Sequence, residues 1–222
     1  MSGSFYKELN QLLRREIRLE WKQRYAVNGL LLYVISTVFV CYLSFKNILD
    51  VPTWNALFWI IILFMAVNAT SKSFGVESKG RLLYYYTLAS APAIILAKII
   101  YNTLLMCVIS LTGYLIYSLL IGDLVQDKPF FLVGLVLGSS GLAAILTLVA
   151  SIASKTNQNG TLMAILSFPI VIPMLIVLIR FSKNAVDGID HSVQYQYMFA
   201  LLAINVIVVT LARLLFPFLW RD

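Results

Sequence analysis

Long apolar runs alternate with short charged patches along this chain, and the runs have the length of a lipid bilayer. About 20 apolar residues in a helix cross ~30 Å of hydrocarbon. Tyr25–Phe45 and Val51–Ser71 each hold 21 residues without a charge, Pro129–Ser154 holds 26 and Thr161–Ile179 holds 19. Ile99–Gly122 is charge-free for 24 residues, and Pro92 marks an earlier start for that helix, because proline is tolerated in a first turn. Ser192–Ala212 adds a sixth run, of 21. The pattern predicts an all-α membrane protein with one transmembrane domain over 1–222 and spans near 25–45, 51–71, 92–122, 129–154, 161–179 and 195–216. The first apolar run begins only at residue 25, so no cleaved signal peptide is expected.

Two segments outside these runs carry a different pattern. In residues 1–24, Phe5, Leu9, Leu12, Leu13, Ile17 and Trp21 recur every three to four positions, while Lys7, Arg14, Arg15, Arg18 and Lys22 lie mostly off that stripe. This spacing predicts an amphipathic helix lying on the inner membrane surface. It serves either as a topogenic anchor or as a lever attached to the first span. The second segment, 72–91, joins spans two and three. Connections in helical bundles need only a few residues, so about 20 points to a docking element. Gly80 permits a break, and Leu82, Leu83, Tyr84, Tyr85, Tyr86 and Leu88 then suggest a short apolar and aromatic cytoplasmic helix ending before Ser90 and Pro92. Tyrosines suit a partly wet, partly apolar boundary, which fits a partner or an aromatic belt.

Charge orients the spans. Thirteen of the seventeen Lys and Arg residues fall on the side of the termini and of the 72–91 connection, and only Lys46, Lys128, Arg180 and Lys183 fall on the other. By the positive-inside rule, both termini are cytoplasmic. Lys98 is the one charge inside an apolar run. Six residues past Pro92, it is expected to snorkel to the inner headgroups, with substrate or proton handling as the alternative.

Composition narrows the function. The chain is 60% hydrophobic and 12% charged, with a mean hydropathy of +0.86. A soluble domain carries roughly 25% charged residues, so a free-standing soluble enzyme is excluded, and the net charge of +7 reads as a membrane-face bias rather than nucleic-acid binding. Cys41 and Cys107 fall at different depths, about 22 and 14 Å from the inner face, and no disulfide is expected. His191 is the only histidine, expected in an outer loop spanning 180–195, solvated or, alternatively, ligating an iron centre. With no Cys/His spacing pattern, a protein-built zinc site is not expected. Gly75 and Gly80 have the spacing of a phosphate-binding loop, but Arg81 and Leu82 stand where that loop needs Lys and Ser/Thr. The ten acids lie at or beyond the span ends, which weighs against an intramembrane enzyme.

Backbone punctuation shapes two spans. Gly134, Gly138 and Gly141 share one helix face, where a neighbouring helix can approach closely. Pro169 and Pro173 stand four apart inside span five, each removing a backbone donor, which predicts a shaped helix.

Several stretches in this order resemble the haem exporter protein B (CcmB) family, the permease subunit of the ABC transporter of cytochrome c maturation. They are the basic amphipathic start, Pro92-Ala-Ile-Ile-Leu-Ala-Lys98, the small-residue fourth span, the polar turn 155–160, and Leu162-Met-Ala-Ile-Leu166 leading to the Pro169/Pro173 pair. The resemblance implies a bacterial inner-membrane assembly. It would hold two permease copies, two cytoplasmic ABC ATPase subunits, a haem-handling membrane protein and a haem chaperone. ATP would be bound by the ATPase and haem by those partners, with no cofactor on this chain and no catalysis by it. ATP hydrolysis would drive haem delivery or release of the haem-loaded chaperone. It further implies that Phe74, Glu77, Gly80, Arg81, Leu82, Tyr84, Tyr85 and Tyr86 meet the ATPase. In the family a Gly-x-Leu-Glu run is frequent there, whereas here Gly80-Arg81-Leu82 continues into Leu83, so different charge pairs are implied. An export permease for lipid or polysaccharide shares this architecture and is the alternative.

Overall fold

Proline and glycine set several of the helix ends. The structure, a computed structural model, describes residues 2–22, 25–45, 49–75, 89–154, 159–189 and 191–221. The described residues form helices α1 (Ser2–Lys22), α2 (Tyr25–Phe45), α3 (Val51–Gly75), α4 (Ala91–Ile121), α5 (Lys128–Ala153), α6 (Asn159–Asp187) and α7 (His191–Arg221) and include no strand. α2 to α7 are the six helices long and apolar enough to cross a membrane. Ser90 is the extended N-cap of α4, with Pro92 in the first turn. Gly122 ends that helix at φ +108°, a conformation side chains rarely adopt. Asp127 caps α5 by accepting the Phe130 N–H at 3.3 Å, ahead of Pro129 in the first turn.

The end of α3, the end of α6 and both ends of α7 differ from the sequence-based expectation, α7 running on past 216 to Arg221. α3 continues through Lys72 to Gly75, into the stretch expected to be connection. More substantially, α6 runs past residue 179 to Asp187 and α7 begins at His191, so most of the expected 180–195 loop is helical. Arg180 and Lys183 end a charge-free window without ending a helix. Both are exposed, while Phe181, Ser182, Ala185 and Val186 are buried on the opposite face. A charge interrupts hydropathy; only a backbone signal interrupts the helix, and that signal is Gly188 at φ +66°.

α5 is the central post. It packs on α3, α4, α6 and α7, and every residue from 141 to 151 is buried. Small residues make this possible. A Cβ placed on Gly134 would stand 2.5 Å from the Phe181 ring, one on Gly138 would stand 2.8 Å from both Leu178 and the Trp59 ring, and one on Gly141 would stand 2.1 Å from the end of Met174. The three glycines thus form the groove into which Phe181, Leu178 and Met174 of antiparallel α6 insert. Pro169 and Pro173 lie on the exposed side of α6, away from this groove.

Apolar packing between spans adds little drive in lipid, so hydrogen bonds between helices matter. Trp59 Nε1 donates to Ser182 Oγ at 2.8 Å, that hydroxyl lies 2.8 Å from Asn55 Oδ1, and Asn55 Nδ2 donates to the Ile179 carbonyl at 3.0 Å. This network joins α3 to α6. Ser110 and Ser139 (2.7 Å) and Asn102 and Thr147 (2.8 Å) join α4 to α5, and Ser140 and Asn205 (3.0 Å) join α5 to α7. Cys41 and Cys107 are both free thiols.

Candidate functional site

α1 is amphipathic, but its protected face is not purely apolar. Phe5, Glu8, Leu9, Leu12, Leu13, Arg15 and Glu16 are half-buried, while Lys7, Asn10, Gln11, Arg14 and Arg18 are exposed. Ile17, expected on the apolar stripe, is 40% exposed. Trp21 lies in the last turn of α1. The half-buried face turns toward α4, against which α1 packs. The Glu8 carboxylate accepts the backbone N–H of Ser90, the N-cap residue of α4. Glu16 lies 3.7 Å from the ammonium of Lys98 and 3.8 Å from the guanidinium of Arg15. At the neighbouring end of α7, the guanidinium of Arg213 sits 5.9 Å from the centre of the Phe5 ring.

Lys98 therefore departs from the snorkelling expectation. Its residue exposure is 2%, and its charge is placed against a carboxylate inside the protein rather than at the headgroups. Among the site residues expected from sequence, Lys98 meets Glu16 of α1, Pro92 lies in the first turn of α4 beside the Glu8–Ser90 contact, and Phe5, Leu9 and Leu13 are half-buried on α1. Phe74 lies near the end of α3, and Pro169 and Pro173 lie on α6, outside the junction. Glu77, Gly80, Arg81, Leu82, Tyr84, Tyr85 and Tyr86 fall outside the described residues. Sequence reasoning passed over Glu8 and Glu16. The signal for them was present: two acids eight apart, bordering the apolar stripe of an otherwise basic helix.

The opposite end of the bundle is braced by a second cluster. Gln126 and Asp127 donate backbone N–H groups to the carbonyls of Val186 (3.3 Å) and Ala185 (2.9 Å), and Trp54 Nε1 donates to the Gly122 carbonyl at 3.0 Å. Lys128 reaches Asp123 at 2.8 Å. Partial burial pushes the Asp123 carboxyl up, but the hydrogen bonds from Lys128 and from the Val125 N–H outweigh it and hold the group below its ordinary range. His191 is not in a free loop. It opens α7, with Nε2 3.1 Å from Asp127 Oδ2 and its ring centre 4.9 Å from that of Phe130, and its side chain remains 64% exposed. Among the described residues, no three His, Cys, Asp or Glu side chains gather as metal ligands would.

Six spans around a small-residue post, with an amphipathic helix docked at one end, give a permease architecture but not a cargo. The CcmB protein family matches the chain over residues 7–217 of its 222. The chain belongs to the CcmB family. No curated protein matches it. As a CcmB-family member it is a multi-pass membrane protein with a haem exporter permease role in cytochrome c maturation, a transporter permease subunit that works within a membrane ABC complex. The CcmB match includes Glu8, Glu16 and Lys98 of the α1–α4 junction, the first five spans, the sixth as far as Pro217 and the whole 72–91 connection.

Proposed function

We propose that this CcmB-family chain is the energy-coupling permease subunit of its complex, with the α1 end of the bundle and both termini in the cytoplasm of a bacterial cell and the His191 end outside the inner membrane. Two copies pair with two ABC ATPase subunits, which dock on the 72–91 connection through Phe74, Glu77, Arg81 and the Tyr84–Tyr86 run. ATP-driven movement of that connection tilts the third span and promotes haem delivery, or release of a haem-loaded chaperone, on the outer side. Haem stays with the partner proteins that handle it.

One observation carries this reading: α1 is docked on the first turns of α4, at Ser90, where the 72–91 connection enters the third span. A push on the connection therefore meets a helix already held at that point. The bias of thirteen Lys and Arg toward the α1 side supports the orientation. An export role for lipid or polysaccharide gains no support from any specific contact.

Replacing Tyr84, Tyr85 and Tyr86 together by alanine is expected to cut the ATPase recovered with the affinity-purified permease about tenfold or more, as loss of aromatic anchors does at interfaces. The haem content of c-type cytochromes should fall with it. Unchanged co-purification together with normal haem loading would remove the docking role. A deletion strain with a full complement of c-type cytochromes would remove the haem-delivery reading altogether.

A further inference from the structure

The junction of α1 and α4 holds a charge pair that stability alone does not explain. Lys98 is 2% exposed, and its ammonium lies 3.7 Å from Glu16, whose side chain is 15% exposed. Seven residues beyond Ala91, the Lys98 backbone stands about 10 Å along the helix from its start. An ionisable group at such a place is costly, and a leucine or methionine there would pack without that cost. Buried ion pairs are often matched or bettered in stability by apolar residues of similar volume; their best-attested use is to fix register.

The spacing of the contacts shows what register is fixed. Glu8 meets Ser90 and Glu16 meets Lys98, so both partners are eight residues apart on their own helices. Eight residues is about 12 Å of helix. The two contacts therefore lay α1 alongside the first two turns of α4, pointing the same way. Between them, Leu12 is apolar and half-buried and packs against the core, which a helix could slide along. The Glu16–Lys98 pair has no such tolerance toward a slide that sets Leu12 opposite Lys98, because that slide takes the Glu16 carboxylate away from the buried ammonium.

We propose that Glu16 and Lys98 are positioning residues, an ionic joint that locks α1 to the third span in one register so that the two move as a single body during transport. The Glu8–Ser90 contact forms the outer end of the same joint. The inference rests on the coupling role proposed above, and it assigns the coupling to a pair that neither touches haem nor needs to touch the ATPase.

The test is a double-mutant cycle in the assembled complex, using Glu16→Gln, Lys98→Met and the combination. Each single variant should still recover the complex and its ATP hydrolysis to within about twofold, yet lower haem loading of c-type cytochromes about tenfold. The combination should be no worse than either single change, the mark of residues that act through one contact. A second readout does not depend on the ATPase. Nitroxide labels at Gln11→Cys on α1 and Leu104→Cys on α4, in a Cys41→Ala/Cys107→Ala background, should give one narrow distance distribution that broadens in each single variant. Multiplicative losses in the combination would overturn the joint. So would a parallel fall of complex yield and haem loading, or an unbroadened distribution. Should the unmutated chain recover no ATPase while the distances behave as stated, the coupling role fails and the joint stands.

Discussion

A valine in place of Gly138 is expected to unfold the detergent-solubilised protein at a markedly lower temperature. The first carbon of its side chain would stand 2.8 Å from Leu178 Cδ2, which can swing away, and 2.8 Å from Trp59 Cη2, which cannot. The Trp59 ring is 1% exposed and is tethered through Nε1 to Ser182. With the ring fixed, α3 must back away from α5 and draw on α6 through the Trp59–Ser182 bond, which loosens the Phe181 and Met174 insertions at Gly134 and Gly141. Overpacking of this kind costs about 1–3 kcal/mol and more where the neighbour is rigid. For a chain of this size that is roughly 3–10 °C in thermal midpoint. Gly141→Ala is the contrast, since its obstacle is the flexible tip of Met174, and it should shift the midpoint by less. Size-exclusion profiles recorded after stepwise heating read both. An unchanged midpoint for Gly138→Val would mean that Gly138 of α5 is not packed against Trp59 of α3 and Leu178 of α6 as described.

Ser182→Ala is expected to come close to the same loss without adding any atom. The Ser182 hydroxyl accepts the Trp59 N–H and lies within hydrogen-bonding distance of Asn55 Oδ1, each at 2.8 Å, and all three residues are buried. Its removal leaves an indole donor and an amide oxygen facing hydrocarbon. A buried group left without its partner costs about 1–3 kcal/mol. Thr210→Ala is the control: that hydroxyl donates only to the Val206 carbonyl of its own helix, on an exposed face, and should be nearly neutral. Equal midpoints for Ser182→Ala and Thr210→Ala would show that the network contributes nothing.

Hydropathy made the six spans legible because a bilayer imposes one length on every crossing, and charges such as Arg24, Lys46 and Asp50 fall at the ends of the first two. The far reach of α6 was not legible for the same reason. Arg180 and Lys183 look like the end of a span, although they only mark where one face of a continuing helix meets polar surroundings. The glycine face of α5 could be read from spacing alone, since small residues at 134, 138 and 141 have few other uses in a membrane helix. The identity of what fills it, Phe181, Leu178 and Met174, could not, because it depends on a helix about 40 residues later.

Lys98 shows the limit most plainly. Its depth and sign were visible, and snorkelling followed from those two facts. Its partner was not, because Glu16 lies 82 residues earlier on a helix whose basic residues dominate the pattern. Polar residues inside apolar runs were the missed clue elsewhere too. Asn55, Asn102 and Asn205 lie inside apolar runs and Ser182 just beyond one, and each is hydrogen-bonded to a neighbouring helix. An isolated amide or hydroxyl at that depth advertises a contact without naming the other party.

The rim formed by residues 122–127 fixes where these helices can part. Backbone bonds to Ala185 and Val186 and the indole of Trp54 bind the ends of α3, α4, α5 and α6 there. In the coupling role proposed above, the rim would serve as a fulcrum and the 31 residues of α4 as an arm of about 46 Å. A swing of only ~5° would carry the driven end through ~4 Å and leave the rim almost still. The bundle is built like a pair of tongs, gripped at one extremity and quiet at the hinge.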